Sequence, residues 1–380
     1  MPGPYAGLFV LDAAQGIAGP LCGMLLAQGG ARVVKLEPPK GDWSRGLTAR
    51  EGTHSVMHTA FNRGKDSVVL DLGTPEGQAQ AARLAARADV LLEAFRPGVA
   101  ARIGLGPEAA KADAVCVSVS GFGQAGPLRE RPCTDGVAQA FAGIAACNLG
   151  ADGIPHRLPT LPVDIFTGMS AFAACQSALA EQARDRREGA PPRRRHLDVS
   201  LIAGAAQLLA VPLAESGLLG RLPGELNVPA GTYQGSCGGW FMLALVREEE
   251  WQAFCRAVGR PGWLEDPRFA RFADRAAHKP ALMAELRPHL ASRPAAEWVA
   301  LLQGARLLAD RVNTPLDFLA EPQVEATGIA PRMRQPGLGE LPVPAMPGLG
   351  AWTAPAPALG EHTAGVMAEF ALAEGRPGGA

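Results

Sequence analysis

The stretch FVLDAAQGIAGPLCGMLLAQGGARVVKLE, residues 9–37, contains one complete strand–helix–strand pattern. Its apolar ends, residues 9–12 and 33–37, predict two short buried strands. Pro20 favours the start of a helix that closes at Gly29, because proline suits the first helical turn and glycine suits the residue after the last. A unit of roughly 30 residues in this order is typical of two parallel strands joined by a crossover helix.

The same pattern repeats along the chain. Strands are expected at residues 67–72, 89–93 and 114–120, and Thr74-Pro75 predicts the start of the helix between the first two. Strands that alternate with helices indicate an α/β fold with a doubly wound sheet. Ligands bind beyond the carboxyl ends of the strands in such sheets. The loops expected to form the site are therefore residues 13–18, 38–45, 94–98 and 121–135.

Composition divides the chain into three parts. Residues 1–205 carry the alternating pattern and predict a large domain. Residues 206–330 contain a strand near 240–246 among short amphipathic helices, which predicts a small α+β domain with linker helices. Residues 331–380 begin rich in proline and glycine with little periodicity, which is typical of an extended segment that wraps over another surface.

Composition also excludes several classes of protein. Hydrophobic residues make up 47% and charged residues 19%, which indicates a globular chain with a sizeable core. A formal net charge of −1 argues against a nucleic-acid-binding protein. The seven cysteines are scattered without a CxxC pair or zinc spacing, so we expect reduced thiols and no metal site. With no signal peptide and no apolar run near 18 residues, we expect a cytoplasmic protein without a membrane span.

Asp164 is the only charged residue between Leu161 and Glu181. Pro162 and the apolar run that follows indicate a loop that leads into a helix, expected at about 166–186. A carboxylate there has two interpretations. It can cap the free N–H groups of the helix, which is the commoner role of an aspartate in this place. It can also act as a poorly hydrated nucleophile that attacks an acyl carbon, with helix-start N–H groups stabilising the oxyanion.

Short motifs follow one another over nearly the whole chain. They are VLD (10–12), AGP (18–20), GARVVKLEPPKGD (30–42), NRGK (62–65), FRPG (95–98), RIG (102–104), SVSGFGQAGP (118–127), DVSL (198–201), DPRF (266–269) and LGEHT (359–363). In this order and spacing the chain resembles family III CoA-transferases, which include formyl-CoA and carnitine CoA-transferases and the α-methylacyl-CoA racemases.

The resemblance implies a Rossmann-like, CoA-binding large domain, a small domain, and a C-terminal segment that returns to the large domain. It also implies a homodimer in which two chains interlock as linked rings. The implied reaction moves CoA from an acyl-CoA to a carboxylic acid. Its substrates would be CoA thioesters and free acids, with no permanently bound cofactor.

The family's reactive aspartate matches Asp164 in this sequence. In the transferases it is acylated by the donor acyl-CoA and then carries CoA as an aspartyl thioester. With the family context, the nucleophile interpretation of Asp164 becomes the favoured one.

CoA contacts carry over by position from the resemblance. The matching residues are Ile17, Ala18, Lys40, Leu70, Asp71, Leu72, Gly73, Ala94, Phe95, Arg96, Arg102, Thr134 and Asp135. Guanidinium groups suit the phosphates of CoA, as expected for Arg96 and Arg102. Pro38 stands where relatives often have arginine, so Lys40 or Arg45 is expected to supply that contact. Ala94 stands where many relatives have asparagine.

A glycine run at residues 235–239 has two interpretations. It matches the place of a mobile substrate loop in formyl-CoA transferases, with Gly238 and Gly239 as its glycines. It is equally consistent with a tight turn before a strand.

Two rival functions remain open. A racemase would need a histidine where Thr134 stands, and threonine cannot titrate near neutral pH, which favours the transferase. His54, His58 and His156 are the histidines that could approach a pocket, although a surface or core role is commoner for each. A CoA-binding protein without catalysis is the second rival, motivated by Pro38 and Ala94.

Overall fold

A computed structural model of the protein describes residues 3–150, 152–222, 224, 227–349 and 352–374. The described chain divides into two compact units. The larger unit contains the residues up to Leu213 and those from Gly328 onward, and the smaller unit spans Ala214–Thr327. The sequence placed these divisions after residues 205 and 330.

The strands, in chain order, are β1 (Phe9–Asp12), β2 (Arg32–Glu37), β3 (Arg50–Glu51), β4 (His54–Ser55), β5 (Asp66–Val69), β6 (Val90–Glu93), β7 (Val115–Ser120), β8 (Arg195–Ser200), β9 (Gly231–Gln234), β10 (Trp240–Ala244), β11 (Leu308–Arg311), β12 (Arg332–Gln335) and β13 (Gly339–Pro342). The helices are α1 (Ala18–Gln28), α2 (Val56–Asn62), α3 (Pro75–Ala85), α4 (Val99–Arg102), α5 (Asp135–Ala142), α6 (Ile144–Cys147), α7 (Pro162–Glu188), α8 (Leu201–Leu208), α9 (Ala210–Leu219), α10 (Glu248–Ala257), α11 (Phe272–Ala277), α12 (Lys279–Leu290), α13 (Ala295–Gly304), α14 (Pro315–Leu319), α15 (Pro322–Thr327) and α16 (Thr363–Glu374).

A six-stranded parallel sheet forms the centre of the larger unit, in the order β5-β2-β1-β6-β7-β8. Val10 of β1 pairs with Val33 of β2 on one side and with Val90 of β6 on the other. The predicted α/β architecture with a central parallel sheet is confirmed. The strand order changes direction between β1 and β6, and ligands bind beyond the carboxyl ends of the strands at such a point.

Helix α7 crosses the core of this unit and packs against α1. Val163, Ala171, Phe172 and Cys175 are buried on its inner face. A Cβ atom at Gly168 would lie 2.7 Å from the carbonyl oxygen of Ala18, so only glycine allows the two helices to approach this closely. The close contact places the start of α1 beside the second turn of α7.

By length and composition, α7 is also apolar enough to cross a membrane, which the sequence did not predict. One such helix is weak evidence for a span, because a largely buried core helix of a globular protein passes the same test. The inner face of α7 belongs to the main apolar core of the unit, together with residues of α1 and β7.

The smaller unit has a three-stranded antiparallel sheet, in the order β11-β10-β9, and a separate apolar core. Trp251 of α10, Leu286 of α12 and Trp298 of α13 are buried in that core. These helices lie in the part of the chain where the sequence predicted short amphipathic helices.

The C-terminal segment packs on the larger unit. The backbone N–H of Gly64 donates to the carbonyl of Pro355 at 2.8 Å, and that of His362 donates to the carbonyl of Ser67 at 2.9 Å. Helix α16 continues along the same unit, where Phe370 meets Phe9 with ring centroids 5.2 Å apart.

Candidate active site at the carboxyl ends of the central strands

The loop between β1 and α1 is held in place by Asp42. Both carboxylate oxygens of Asp42 accept from the backbone N–H of Gly16 at 3.1 Å. Gly16 has φ +85°, and a Cβ atom there would lie 2.3 Å from the Trp43 ring, so no other residue fits without displacing the ring. This geometry fixes Ile17 and Ala18 at the start of α1.

A buried ion cluster supports this loop and the adjoining turn. It consists of three ion pairs: Asp12 with Lys65 at 2.7 Å, Glu37 with Arg45 at 2.7 Å, and Asp42 with Lys35 at 2.9 Å. All six side chains are almost fully buried. Because each buried charge has an opposite partner, the cluster holds the loop in one arrangement without leaving a charge uncompensated.

Asp135 caps the start of α7. Its Oδ2 accepts from the backbone N–H of Val163 at 2.8 Å and from that of Asp164 at 3.1 Å, while Gln139 donates to its Oδ1. Leu161, the residue just before the helix, has φ +56° and provides no side-chain cap. The helix therefore begins at Pro162, four residues earlier than the sequence indicated, because an acid distant in sequence satisfies its free N–H groups.

The side chain of Asp164 is consequently not the cap. Asp164 is the third residue of α7, and no described residue donates a hydrogen bond to its carboxylate or forms an ion pair with it. The capping interpretation from sequence is wrong for this residue. The expected oxyanion donors are also occupied, because the N–H groups of Val163 and Asp164 bond to Asp135 and that of Ile165 bonds to the carbonyl of Leu161.

The electrostatic surroundings of Asp164 favour its protonated form. Burial of the carboxyl group, followed by the nearby Asp135 carboxylate, raises the pKa of Asp164 to about 7. Burial penalises a charge that no cation neutralises, and a like charge adds to that penalty. A carboxylate formed here is poorly solvated and correspondingly reactive.

A cavity of about 330 Å³ opens at Asp164. Seven of the residues predicted from sequence line it: Ile17, Ala18, Ala94, Phe95, Arg96, Thr134 and Asp164. Six other lining residues belong to no motif quoted above: Gln15, Trp43, Arg129, Arg131, Pro132 and Cys133. All six lie in the loops expected to form the site, so their position was predictable although their roles were not.

A second cavity, of about 280 Å³, reaches Asp164 from another side. Ile17, Trp43, Thr134 and Asp164 line both cavities. The remaining lining residues of the second cavity are Leu47, Met57, Asp135, Gly136, Arg157 and Leu161. Arg157 lies outside every motif quoted from the sequence, so it was not predicted as a site residue.

Six predicted CoA contacts line neither cavity: Lys40, Leu70, Asp71, Leu72, Gly73 and Arg102. Lys40 and Arg102 are exposed, and Asp71 accepts from the N–H of Gly73 at 2.9 Å within a turn. The expectation that Arg45 could meet a phosphate is wrong in this structure. Its guanidinium is buried and bonded to both carboxylate oxygens of Glu37, so it is not available to a ligand.

Gly238 and Gly239 lie in the smaller unit, in the hairpin turn between β9 and β10. The N–H of Gly235 donates to the carbonyl of Gly239 at 2.8 Å, and the N–H of Ser236 donates to the carbonyl of Arg293 at 3.0 Å. This is the tight turn that the sequence allowed as one interpretation. Neither glycine belongs to the lining of the two cavities at Asp164.

No histidine of the described chain lines either cavity. His58 is fully buried, where its Nδ1 lies 3.2 Å from the hydroxyl of Ser44. Burial, with Arg45 adding to it, lowers the pKa of His58 to about 3, so this ring is neutral at physiological pH. The described residues also contain no group of three or more histidine, cysteine and acidic side chains that could hold a metal ion.

Comparison with known proteins gives a consistent result. A family model described as "CoA-transferase family III" matches residues 5–363. The chain is 32% identical to a "Succinyl-CoA--D-citramalate CoA-transferase" of Chloroflexus aurantiacus, over 97% of this chain and 94% of that one. It is 32% identical to an "Acetyl-CoA:oxalate CoA-transferase" of Acetobacter aceti, over 86% of this chain and 87% of the relative. A solved structure of a CAIB/BAIF family protein from Brucella suis has a TM-score of 0.82 at 29% identity, covering 97% of this chain and 100% of that chain.

Proposed function

Because this chain belongs to CoA-transferase family III, we propose that Asp164 is the residue that carries its reaction. The chain is an enzyme that moves CoA from an acyl-CoA to a carboxylic acid. The observation that carries the proposal is the carboxylate of Asp164 itself. It opens onto two cavities, and no cation, capping bond or metal site among the described residues accounts for it.

The proposed reaction begins with Asp164 attacking the acyl carbon of the donor thioester. The C–S bond breaks, the CoA thiolate leaves, and an anhydride joins Asp164 to the acyl group. The thiolate then attacks the aspartyl carbonyl carbon, which releases the donor acid and leaves CoA as a thioester on Asp164.

The acceptor acid completes the cycle. Its carboxylate attacks the aspartyl thioester, which expels the thiolate and forms a second anhydride. The thiolate attacks the acyl carbon of the acceptor, so that a new acyl-CoA forms and the Asp164 carboxylate is regenerated. No proton, electron or metal ion is needed to balance these steps, which agrees with a site that lacks a titrating histidine among its described residues.

The larger cavity is the proposed site of the CoA thioester. Arg96, Arg129 and Arg131 line it, and guanidinium groups suit the anionic phosphates of CoA. Ile17, Ala18 and Phe95 supply apolar contacts for the pantetheine arm. The proposal keeps Arg96 from the sequence prediction and adds Arg129 and Arg131. Lys40, Leu70–Gly73 and Arg102 remain predicted contacts outside this cavity.

Substitution of Asp164 tests the proposal. Asp164→Asn removes the nucleophilic oxygen at nearly constant volume, and we expect CoA transfer to fall by about 10³-fold or more. In the wild type, hydroxylamine added during turnover should trap Asp164 as a hydroxamate, which mass spectrometry of the peptide would locate. Asp152→Asn, an exposed aspartate that lines neither cavity, is the matched control and should keep wild-type activity.

Two outcomes would contradict the assignment. Asp164→Asn could transfer CoA at a normal rate, or the trapped adduct could map to another residue. Deuterium exchange at the α-carbon of a 2-methylacyl-CoA without any acceptor acid would favour the racemase instead. Thr134 and the cavity linings without histidine argue against that rival, because proton shuttling at the α-carbon needs titrating bases on both faces.

We also infer that two chains interlock as a ring-shaped homodimer, as expected from the family. Large apolar side chains on α9 support an association surface, because Val211 is 65% exposed and Leu218 is 84% exposed. A solution mass equal to one chain of 39.5 kDa, measured by light scattering, would contradict this inference.

A further inference from the structure

The lining of the smaller cavity at Asp164 combines apolar and polar residues. Its large apolar residues are Ile17, Trp43, Leu47, Met57 and Leu161. Its polar residues are Thr134, Asp135, Arg157 and Asp164, and Gly136 completes the lining. Within this described lining, Arg157 is the one cationic side chain, whereas the larger cavity has three.

Arg157 lies against the start of α5. Its Cδ atom is 3.5 Å from the place where a Cβ atom at Gly136 would stand, so the arginine stem packs over this glycine. The guanidinium forms no hydrogen bond and no ion pair with any described residue, although Asp164 lines the same cavity. Arg45, by contrast, is fully engaged with Glu37 in the ion cluster. Arg157 is therefore an exposed cation in the lining of this cavity, without a partner among the described residues.

The charge at the reacting end changes during the proposed reaction. When Asp164 carries CoA as a thioester, it has no negative charge. Asp135 is then the remaining acid of the lining, and its carboxylate is engaged by two backbone N–H groups and by Gln139. An incoming acid with two carboxylates thus meets the free guanidinium of Arg157 and an acylated Asp164 that no longer repels it.

We propose that this smaller cavity holds the acceptor acid and that Arg157 binds a second carboxylate, so that the acceptor is a dicarboxylic acid. The inference rests on the proposed transfer through Asp164. One carboxylate of the acid attacks the aspartyl thioester, and the other forms a forked pair of hydrogen bonds with the guanidinium. The methylene groups between them contact the apolar lining residues Trp43, Leu47 and Met57.

Acceptors matched in length test the assignment. Glutarate and valerate have equally long chains and differ in the second carboxylate, as do succinate and butyrate. With one acyl-CoA donor held at saturation, kcat/KM for each acid is measured by following the new acyl-CoA. We expect the wild type to favour the dicarboxylic member of each pair by about 10–100-fold, the usual worth of a charge-assisted hydrogen bond.

Variants of Arg157 test whether this residue causes the preference for dicarboxylic acids. Arg157→Met keeps the stem and removes the charge, and it should reduce the preference by about 10-fold or more while kcat/KM for valerate stays within about 3-fold. Arg157→Lys keeps the charge without the fork and should retain part of the preference. Arg187→Met, an exposed arginine in the last turn of α7 that lines neither cavity, is the matched control and should behave as the wild type.

The outcomes separate this inference from the transfer itself. If valerate and butyrate accept CoA as well as their dicarboxylic partners while the hydroxylamine adduct still maps to Asp164, the role of Arg157 is overturned and the transfer stands. An unchanged preference in Arg157→Met has the same meaning. If no acid accepts CoA and no adduct forms on Asp164, both proposals fail together.

Discussion

The larger unit contains two groups of buried acids, and they differ in whether a cation lies beside them. In the ion cluster, Glu37 and Asp42 each lie within 3 Å of a cation, at 2.7 Å from Arg45 and 2.9 Å from Lys35. Asp135 and Asp164, which we call the carboxylate pair, have no cationic partner among the described residues. Asp135 and Asp164 line the smaller cavity, whereas no acid of the ion cluster lines either cavity.

The difference appears in their pKa values. Burial alone would raise the pKa of Glu37, but hydrogen bonds and charge attraction from Arg45 lower it to about 2. For Asp42, attraction by Lys35 likewise outweighs burial and lowers the pKa to about 2. Burial raises the pKa of Asp164 to about 7, since no cation opposes it. A buried acid that is paired with a cation stays ionised and stabilises the fold. A buried acid without such a partner has a raised pKa, which is typical of residues at functional sites.

Breaking a pair in the ion cluster should have the largest effect on stability. Lys35→Met leaves the Asp42 charge buried without a partner, and we expect a loss of about 3–5 kcal/mol in the free energy of unfolding. Urea denaturation measures it. The control is Lys111→Met, which removes an ion pair of 2.7 Å with Asp89 whose lysine is 38% exposed, and it should cost less than about 1 kcal/mol. Equal losses in the two variants would contradict the comparison.

Removing the unpaired charge of Asp164 should instead increase the stability of the folded protein. Asp164→Asn should raise the free energy of unfolding by about 2–4 kcal/mol at pH 8, because the wild type must bury an uncompensated carboxylate there. The folded pKa of about 7 exceeds the ordinary value of 3.8. The contribution of Asp164 to the stability of the wild type is therefore fully present below about pH 4 and is lost as the pH rises to about 7. The advantage of the variant should fade over the same interval on acidification, and an advantage independent of pH would contradict the assignment.

The influence of Asp135 on the pKa of Asp164 should be the smallest of these effects. Asp135→Asn keeps an oxygen that can accept from the N–H groups of α7 but removes the negative charge beside Asp164. The pKa of Asp164 should fall, and the midpoint of the rise of kcat/KM with pH should move to lower pH by about 0.5–1 unit. The sign follows because ionised Asp164 is the proposed nucleophile. A midpoint that stays at the wild-type value would show that Asp135 acts as a cap alone.

Local sequence patterns were enough to predict the sheet, the loops of the site and the importance of Asp164. Apolar runs separated by glycine and proline predicted the parallel sheet, and the loops that follow its strands contain most of the residues that line the larger cavity. Asp164 stood out because no other charge lies near it in sequence. These features depend on neighbours along the chain, which the sequence displays directly.

The partner of each charge could not be found in this way. The sequence offered Asp164 as a helix cap, yet Asp135, 29 residues away, bonds to its backbone N–H. Arg45 was considered for a phosphate and is instead bonded to Glu37. Arg157 belongs to no sequence motif, and only the fold places it in a cavity with Asp164.

The sequence by itself thus determined the α/β sheet, the family and the candidate nucleophile. Only the tertiary structure decided which buried acids are paired with a cation and which have no cationic partner among the described residues. The physical reason is that the pKa of a buried carboxylate depends on burial and on charges a few ångströms away. Those charges come from residues far apart in the chain, and folding alone brings them together.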